Sequence, residues 1–192
     1  MEVLASGGRS RALAAIAVLA TIVLVAAGAS PAEAVPIKRG HTRLILNQNT
    51  LSNLDPLGIG ILPIPPAEAR SGAESFPITG GTVSRNGRGA RINHGGGIRI
   101  ANDTARVRVA RVTVRLHPAG SELIASVDGQ PMTFLSLEGG RRTSGGGGFT
   151  YHRIRALLTQ RAANALNRGF ATDFFQRGTR LGQLRIQTTL VP

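Results

Sequence analysis

The segment Arg106–Leu116 (RVRVARVTVRL) limits what this chain can fold into more than any other. Valines alternate with arginines at the period of a strand that has one apolar and one solvated face. The alternation changes parity part-way. Val107 and Val109 share one face, whereas Val112, Val114 and Leu116 fall on the opposite one. A regular strand cannot bury both sets on one side. One extra residue flips every later side chain, so the pattern predicts a bulge or bend near Ala110–Arg111.

Strand-like runs continue on both sides. After a polar lead-in over Val35–His41, Arg43–Leu46 suits a first strand. Asn47–Leu57 fits a short helix, with Leu51 and Leu54 three apart, Asn or Thr as caps, and Pro56 and Gly58 ending it. The prolines in Ile59–Pro66 confine that stretch to an edge or an exposed crossing. Phe76 and Ile78 begin a strand to about Ser84, Asn86–Gly87 is a two-residue turn signal, and Ala90–Ile100 is the return strand. Asn102–Asp103, Pro118–Gly120 and Asp128–Gly129 then punctuate Arg106–Leu116, Leu123–Val127 and Met132–Leu137. Gly139–Gly148 reads as a loop. Beyond it Ile154, Leu157, Leu158, Ala162, Ala165 and Leu166 recur at helical spacing, which predicts a helix near 152–168 capped by Gly169, with Phe170, Phe174 and Phe175 packed beneath the sheet. Leu184, Ile186, Thr188 and Leu190 form the inner face of a last strand. The expected fold is therefore mainly β with α (α+β): an antiparallel meander forming a sandwich or partly open barrel, with one main C-terminal helix and a short N-terminal one.

Residues 1–34 read as a secretory signal peptide: Arg9 and Arg11, an uncharged apolar run over Ala12–Ala27, then the small residues Ala32 and Ala34 at a cleavage site. Ala27–Gly28–Ala29 is a second candidate site, and retention of the segment as an anchor is the competing reading. The expected mature domain is 35–192, secreted or held at the cell envelope, with no further transmembrane span. Lys and Arg total 23 against 10 acidic residues, a formal charge of +13, and Lys38 is the only lysine. The arginine bias matches a GC-rich genome as well as selection for an anionic partner. Cysteine is absent, which rules out disulfides, thiolate metal sites and a cysteine nucleophile.

Chemistry-bearing motifs are few. There is no phosphate-binding loop, no HExxH and no GxSxG, and His41, His94, His117 and His152 lack metal-ligand spacing. The chain is read as non-enzymatic, with no metal and no cofactor assigned from its residues. His94 shares strand parity with Ile92, Ile98 and Ile100 and so points to the apolar side. Beside it Gly95, Gly96 and Gly97 permit a bulge or the close approach of a ligand. A buried histidine satisfied by a backbone carbonyl is the simpler account. Tyr151, the only tyrosine, precedes the expected helix. Arg106, Arg108, Arg111 and Arg115 are placed to line one sheet face for phosphates or anionic envelope polymers. A solvated strand face explains them equally. Tyr151 and six Phe are few for a base-stacking platform, so no specific nucleic acid is expected.

Phe76–Gly81, then INHGGGIRI over Ile92–Ile100, then the valine-rich strand and Ser121–Gly129 resemble the HtaA-type domain of exported actinobacterial proteins. The resemblance covers about 42–190. It implies an exported domain that binds an apolar ligand or an envelope protein, with haem as the alternative ligand. In haem-binding members a Tyr in the first part of the domain ligates iron and a His before the Gly-rich strand supports it. His94 matches that His. No Tyr precedes Tyr151 in this chain.

Overall fold

The computed structural model describes residues 34–192, so the expected signal segment, Ala34 apart, lies outside the described residues. The elements follow in the order β1 (Ala34–Leu46), α1 (Gln48–Leu54), β2 (Gly60–Ile64), β3 (Glu68–Arg70), β4 (Ala73–Ser84), β5 (Ala90–His94), β6 (Gly97–Ala101), β7 (Arg106–Leu116), β8 (Ser121–Val127), β9 (Gln130–Glu138), β10 (Arg141–Gly145), β11 (Gly148–Leu158), α2 (Gln160–Phe170) and β12 (Arg180–Leu190). Eight strands close into an antiparallel barrel in the order β4-β1-β12-β11-β9-β8-β7-β5. The first and last strands, β1 and β12, lie side by side. β7 closes the ring by pairing with both β5 and β8. Closure removes the free edges that a sandwich or partly open barrel would leave. Outside the ring, β6 and β2 extend from the first half of β7, while β3 and β10 flank β4 and β11.

The parity change in β7 is resolved by a bulge. Register with β8 shifts between Ala110 and Thr113, and Arg111 takes a left-handed φ of 53°. All five apolar side chains of β7 consequently face inward and are buried. An eight-stranded barrel is just wide enough for side chains to fill. Here Phe134, Leu135, Leu158, Leu184, Ile186, Val107 and Val109 do so, each at most 1% exposed. Ala162, Ala163 and Leu166 of α2 add to the same core, and Phe175 sits edge-on to Phe174 beside them. α1 forms as expected, with the Asn47 side chain accepting from the Thr50 N–H.

Several boundaries differ from the sequence reading. The lead-in Val35–His41 is part of β1, because neighbours on both sides supply its backbone partners. The return strand 90–100 is broken at Gly95–Gly96 into β5 and β6. The loop 139–148 holds a hairpin, β10–β11, turned at Gly146 and Gly147, both with positive φ. The helix begins at Gln160, capped by Thr159, and Ile154, Leu157 and Leu158 belong to β11. A second bulge explains the difference. Arg153 has φ 55° and register shifts between Tyr151 and Ile154, so inward residues lie three apart and imitate a helical step. Gly169 is not the cap; α2 ends through Ala171 in the left-handed region. A Cβ on Gly169 would sit 2.4 Å from Val107 Cγ2, so this glycine lets α2 lie close on β7.

Candidate functional site

Two inward-facing polar rings stand in the barrel wall, His94 on β5 and Tyr151 on β11. His94 is 7% exposed. Its Nδ1 lies 3.3 Å from the Val112 carbonyl, which only accepts, so Nδ1 carries the proton in the neutral ring. Nε2 is left to accept from the Thr42 hydroxyl at 2.7 Å. Phe76 meets the ring edge-on, with centroids 6.5 Å apart. Burial pushes the imidazole down to about 4, against a smaller upward pull from Val112. His94 is therefore neutral at pH 7, and both nitrogens have partners.

The void around His94 measures about 20 Å³, room for about one water. The glycines beside it serve the chain's own packing. A Cβ on Gly96, whose φ is 77°, would lie 2.5 Å from both the Ala67 nitrogen and the Ile64 carbonyl oxygen, and one on Gly95 would lie 2.9 Å from Pro66. A Cβ on Gly97 would lie 2.1 Å from the Val109 carbonyl oxygen. The close approach that Gly95, Gly96 and Gly97 permit is to the Ile64–Ala67 segment and to β7.

Tyr151 lies elsewhere. It pairs across the sheet with Ile186, which pairs with Thr42, so its backbone is two strand spacings, about 10 Å, from the residue that holds His94. The two rings line different hollows. The phenol donates to the Gly87 carbonyl at 2.9 Å. Gly87, with φ 65°, turns the chain where a Cβ would collide with Phe149 at 2.7 Å, so the Asn86–Gly87 turn rests on that ring and fixes its carbonyl towards Tyr151. Burial pushes the phenol up to about 12, and the neighbouring Arg142 pulls the other way. Arg142 stacks over Phe149 at 5.5 Å and donates to the Asn86 carbonyl.

The sequence matches no protein-family profile and no curated protein. Among solved structures, the C-terminal domain of HtaA from Corynebacterium glutamicum is 16% identical with TM-score 0.66, over 82% of this chain and 99% of that one. The N-terminal domain of the same protein is 11% identical with TM-score 0.57, over 81% and 99%. The haem-binding protein HtaB of that organism is 12% identical with TM-score 0.55, over 83% and 96%. This chain has the HtaA fold.

Within that fold the His94 surroundings do not fit a haem. A pocket for a ligand of that size holds at least about 300 Å³, and the lone pair of His94 Nε2 is taken by Thr42. The groove beside Tyr151 does fit in size, and the phenol in its wall, 6% exposed, serves as a donor to a metal only by releasing the Gly87 carbonyl. The groove opens to about 560 Å³ and is lined by Leu116, Pro118 and Ile154 as well as Arg88, Arg141 and Arg142. His117 stands there too, its Nδ1 accepting from the Ala119 N–H, so Nε2 is left as a donor. Thr42, the partner of His94, had no signal in the sequence, since 52 residues separate the two.

The bulge at Arg111 keeps Arg106, Arg108, Arg111 and Arg115 together on the outer face of β7. Arg99 and Arg91 stand directly opposite Arg108 and Arg115. Glu122 pairs with Arg115 at 3.3 Å, and Asp128 accepts from the Arg108 backbone N–H. Among the described residues no three His, Asp or Glu side chains converge as metal ligands, and no helix is long and apolar enough to cross a membrane.

Proposed function

We propose that this chain is an exported, non-enzymatic binding domain with the HtaA fold, and that its ligand is haem, taken in the groove beside Tyr151. The observation that carries this reading is that the chain's only phenol stands in the wall of an open groove of about 560 Å³ whose rim holds three arginines. Haem, when bound, supplies a ferric iron that favours an anionic oxygen ligand, together with two carboxylates on a flat apolar body. Leu116, Pro118 and Ile154 offer apolar contact, Arg88, Arg141 and Arg142 offer charge-assisted hydrogen bonds to carboxylates, and Tyr151 offers the phenolate once an adjacent metal lowers its pKa. The shared fold of the haem-binding protein HtaB supports the ligand class.

In a haemin titration followed by visible absorption, the wild type is expected to shift the Soret band and show a tyrosinate charge-transfer band. Tyr151→Phe is expected to lose that band and bind at least about tenfold more weakly. The lost Gly87 hydrogen bond costs stability only about 1 kcal/mol, so the variant folds. His94→Gln is expected to leave the spectrum unchanged. No Soret shift in the wild type, or an unaltered spectrum in Tyr151→Phe, overturns the assignment.

Export rests on the N-terminal segment. Cleavage after Ala34 removes only the first, exposed residue of β1 and leaves the strand's pairing with β12 complete. N-terminal sequencing of protein from culture supernatant is expected to begin Val35-Pro36-Ile37-Lys38. Intact Met1 in the membrane fraction would show an anchor instead.

A further inference from the structure

The outer face of the β1–β12 junction concentrates positive charge without carboxylates to match. Arg43 and Arg185 are directly opposite in register, an arrangement that costs a sheet stability. Among the described residues neither forms an ion pair. Arg43 Nη2 donates to the Arg70 carbonyl at 3.2 Å, but its Nε is buried with no partner. His41, the next outward residue on β1, registers the local potential: burial, then Arg43, then Arg185 push its imidazole below the ordinary value. Two hollows flank the arginine pair on the same face. One, of about 440 Å³, lies over His41, Arg43, Arg70 and Ser75. The other, of about 450 Å³, lies over Arg141, His152, Arg153 and Arg185. The one carboxylate in either hollow, Glu68, is already paired with Arg70.

We propose that these hollows and the Arg43–Arg185 ridge between them form a trough for a linear polyanion, an unbranched polymer carrying a phosphate-type oxyanion in each repeat. Strand spacing sets cations about 5 Å apart across the ridge, and about 7 Å separates successive outward residues along each strand. Along the strands those neighbours are His41, Ile45, Gln183 and Gln187, so the positive charge continues sideways from the Arg43–Arg185 pair, through Arg70 in one hollow and Arg141 and Arg153 in the other, and an extended chain of closely spaced charges can follow that line. The side chains argue against other occupants. The outward neighbours Gln183 and Gln187 are amides, and no Phe or Tyr lines either hollow as a platform for base stacking. Ile45 is the single large exposed apolar side chain here, too little for a membrane-inserting face or the core of a protein interface. The arginines of β7 lie on the far side of the barrel. The hollow among them contains Asp103, and Glu122 already neutralises Arg115.

The test measures binding of labelled inorganic polyphosphate to the full chain at several salt concentrations. Arg43→Gln/Arg185→Gln is compared with Arg106→Gln/Arg108→Gln, which removes the same charge from the other face. The trough variant is expected to bind roughly tenfold more weakly, with a salt slope reduced by about 1.4–1.8 for two lost contacts. The β7 variant is expected to lose no more than about twofold. Thermal unfolding separates binding from folding, because removing facing like charges is expected to hold or raise the Tm. Equal losses in both variants, a larger loss in the β7 variant, no binding by the wild type, or tighter retention by vesicles of anionic lipid would each overturn the proposal.

Discussion

Leu158→Asp is expected to leave the chain unfolded at neutral pH and room temperature. Leu158 is 1% exposed, faces Leu135 across the β9–β11 pairing, and closes the barrel where β11 hands over to α2. Its backbone is tied to the chain leading into β12: its N–H donates to the Thr179 carbonyl and its carbonyl accepts from Gly178. Removing the leucine side chain alone costs about 2–5 kcal/mol. A carboxylate put in its place finds no cation and no water, a penalty of several kcal/mol more unless it takes up a proton. The total rivals the whole stability of an ordinary domain, about 5–15 kcal/mol. Far-UV circular dichroism and urea titration are expected to show no cooperative transition, whereas Leu158→Met is expected to cost less than about 1.5 kcal/mol. A folded Asp variant with an ordinary midpoint would mean that the barrel does not enclose this position.

The second large effect is a loss of stability in mild acid that belongs to His94. The unfolded ring titrates near 6.5 and the native ring near 4, because burial disfavours its charged form. Between those values the unfolded chain binds more protons than the native one. Stability therefore falls as pH drops from about 6.5 to about 4, and this group adds no further loss below that. At about 1.4 kcal/mol per pH unit the interval is worth about 3 kcal/mol. The groups facing the ring, Thr42, Phe76 and Val112, carry no charge that would offset it. Glu74 works in the opposite direction, since burial pushes its carboxyl up and its contribution to stability is lost as pH rises. Urea midpoints at pH 7, 5.5 and 4 separate the two when the wild type is compared with His94→Gln. The variant is expected to be less stable at pH 7, by about 1–2 kcal/mol for the altered hydrogen bonds, and to lose much less on acidification. Parallel curves would show that the ring is solvated.

These two residues also mark what a sequence makes legible. The inward direction of His94 followed from its parity with Ile92, and the bulge in β7 followed from five apolar residues that no regular strand can bury together. The Asn47 cap, the edge position of the proline-bearing β2 and the alternation of β12 were readable for the same reason. The spacing of Leu158 predicts a buried position but a helical one, whereas it lies on β11. The bulge at Arg153 spaced Tyr151 and Ile154 three apart, and an irregular strand and a helical turn then look alike.

The sequence by itself determined which side chains lie inside, because burial on a strand is written in a local period of two that the backbone imposes. Only the tertiary structure decided what those side chains meet. The sealing of His94 by Thr42, the separation of Tyr151 into its own groove, the meeting of β1 with β12 and the facing of Arg43 and Arg185 all join residues tens to well over a hundred positions apart. Strand pairing of that range is set by how the whole barrel closes. No local pattern records it, since each of these residues satisfies its own alternation whichever strand lies beside it.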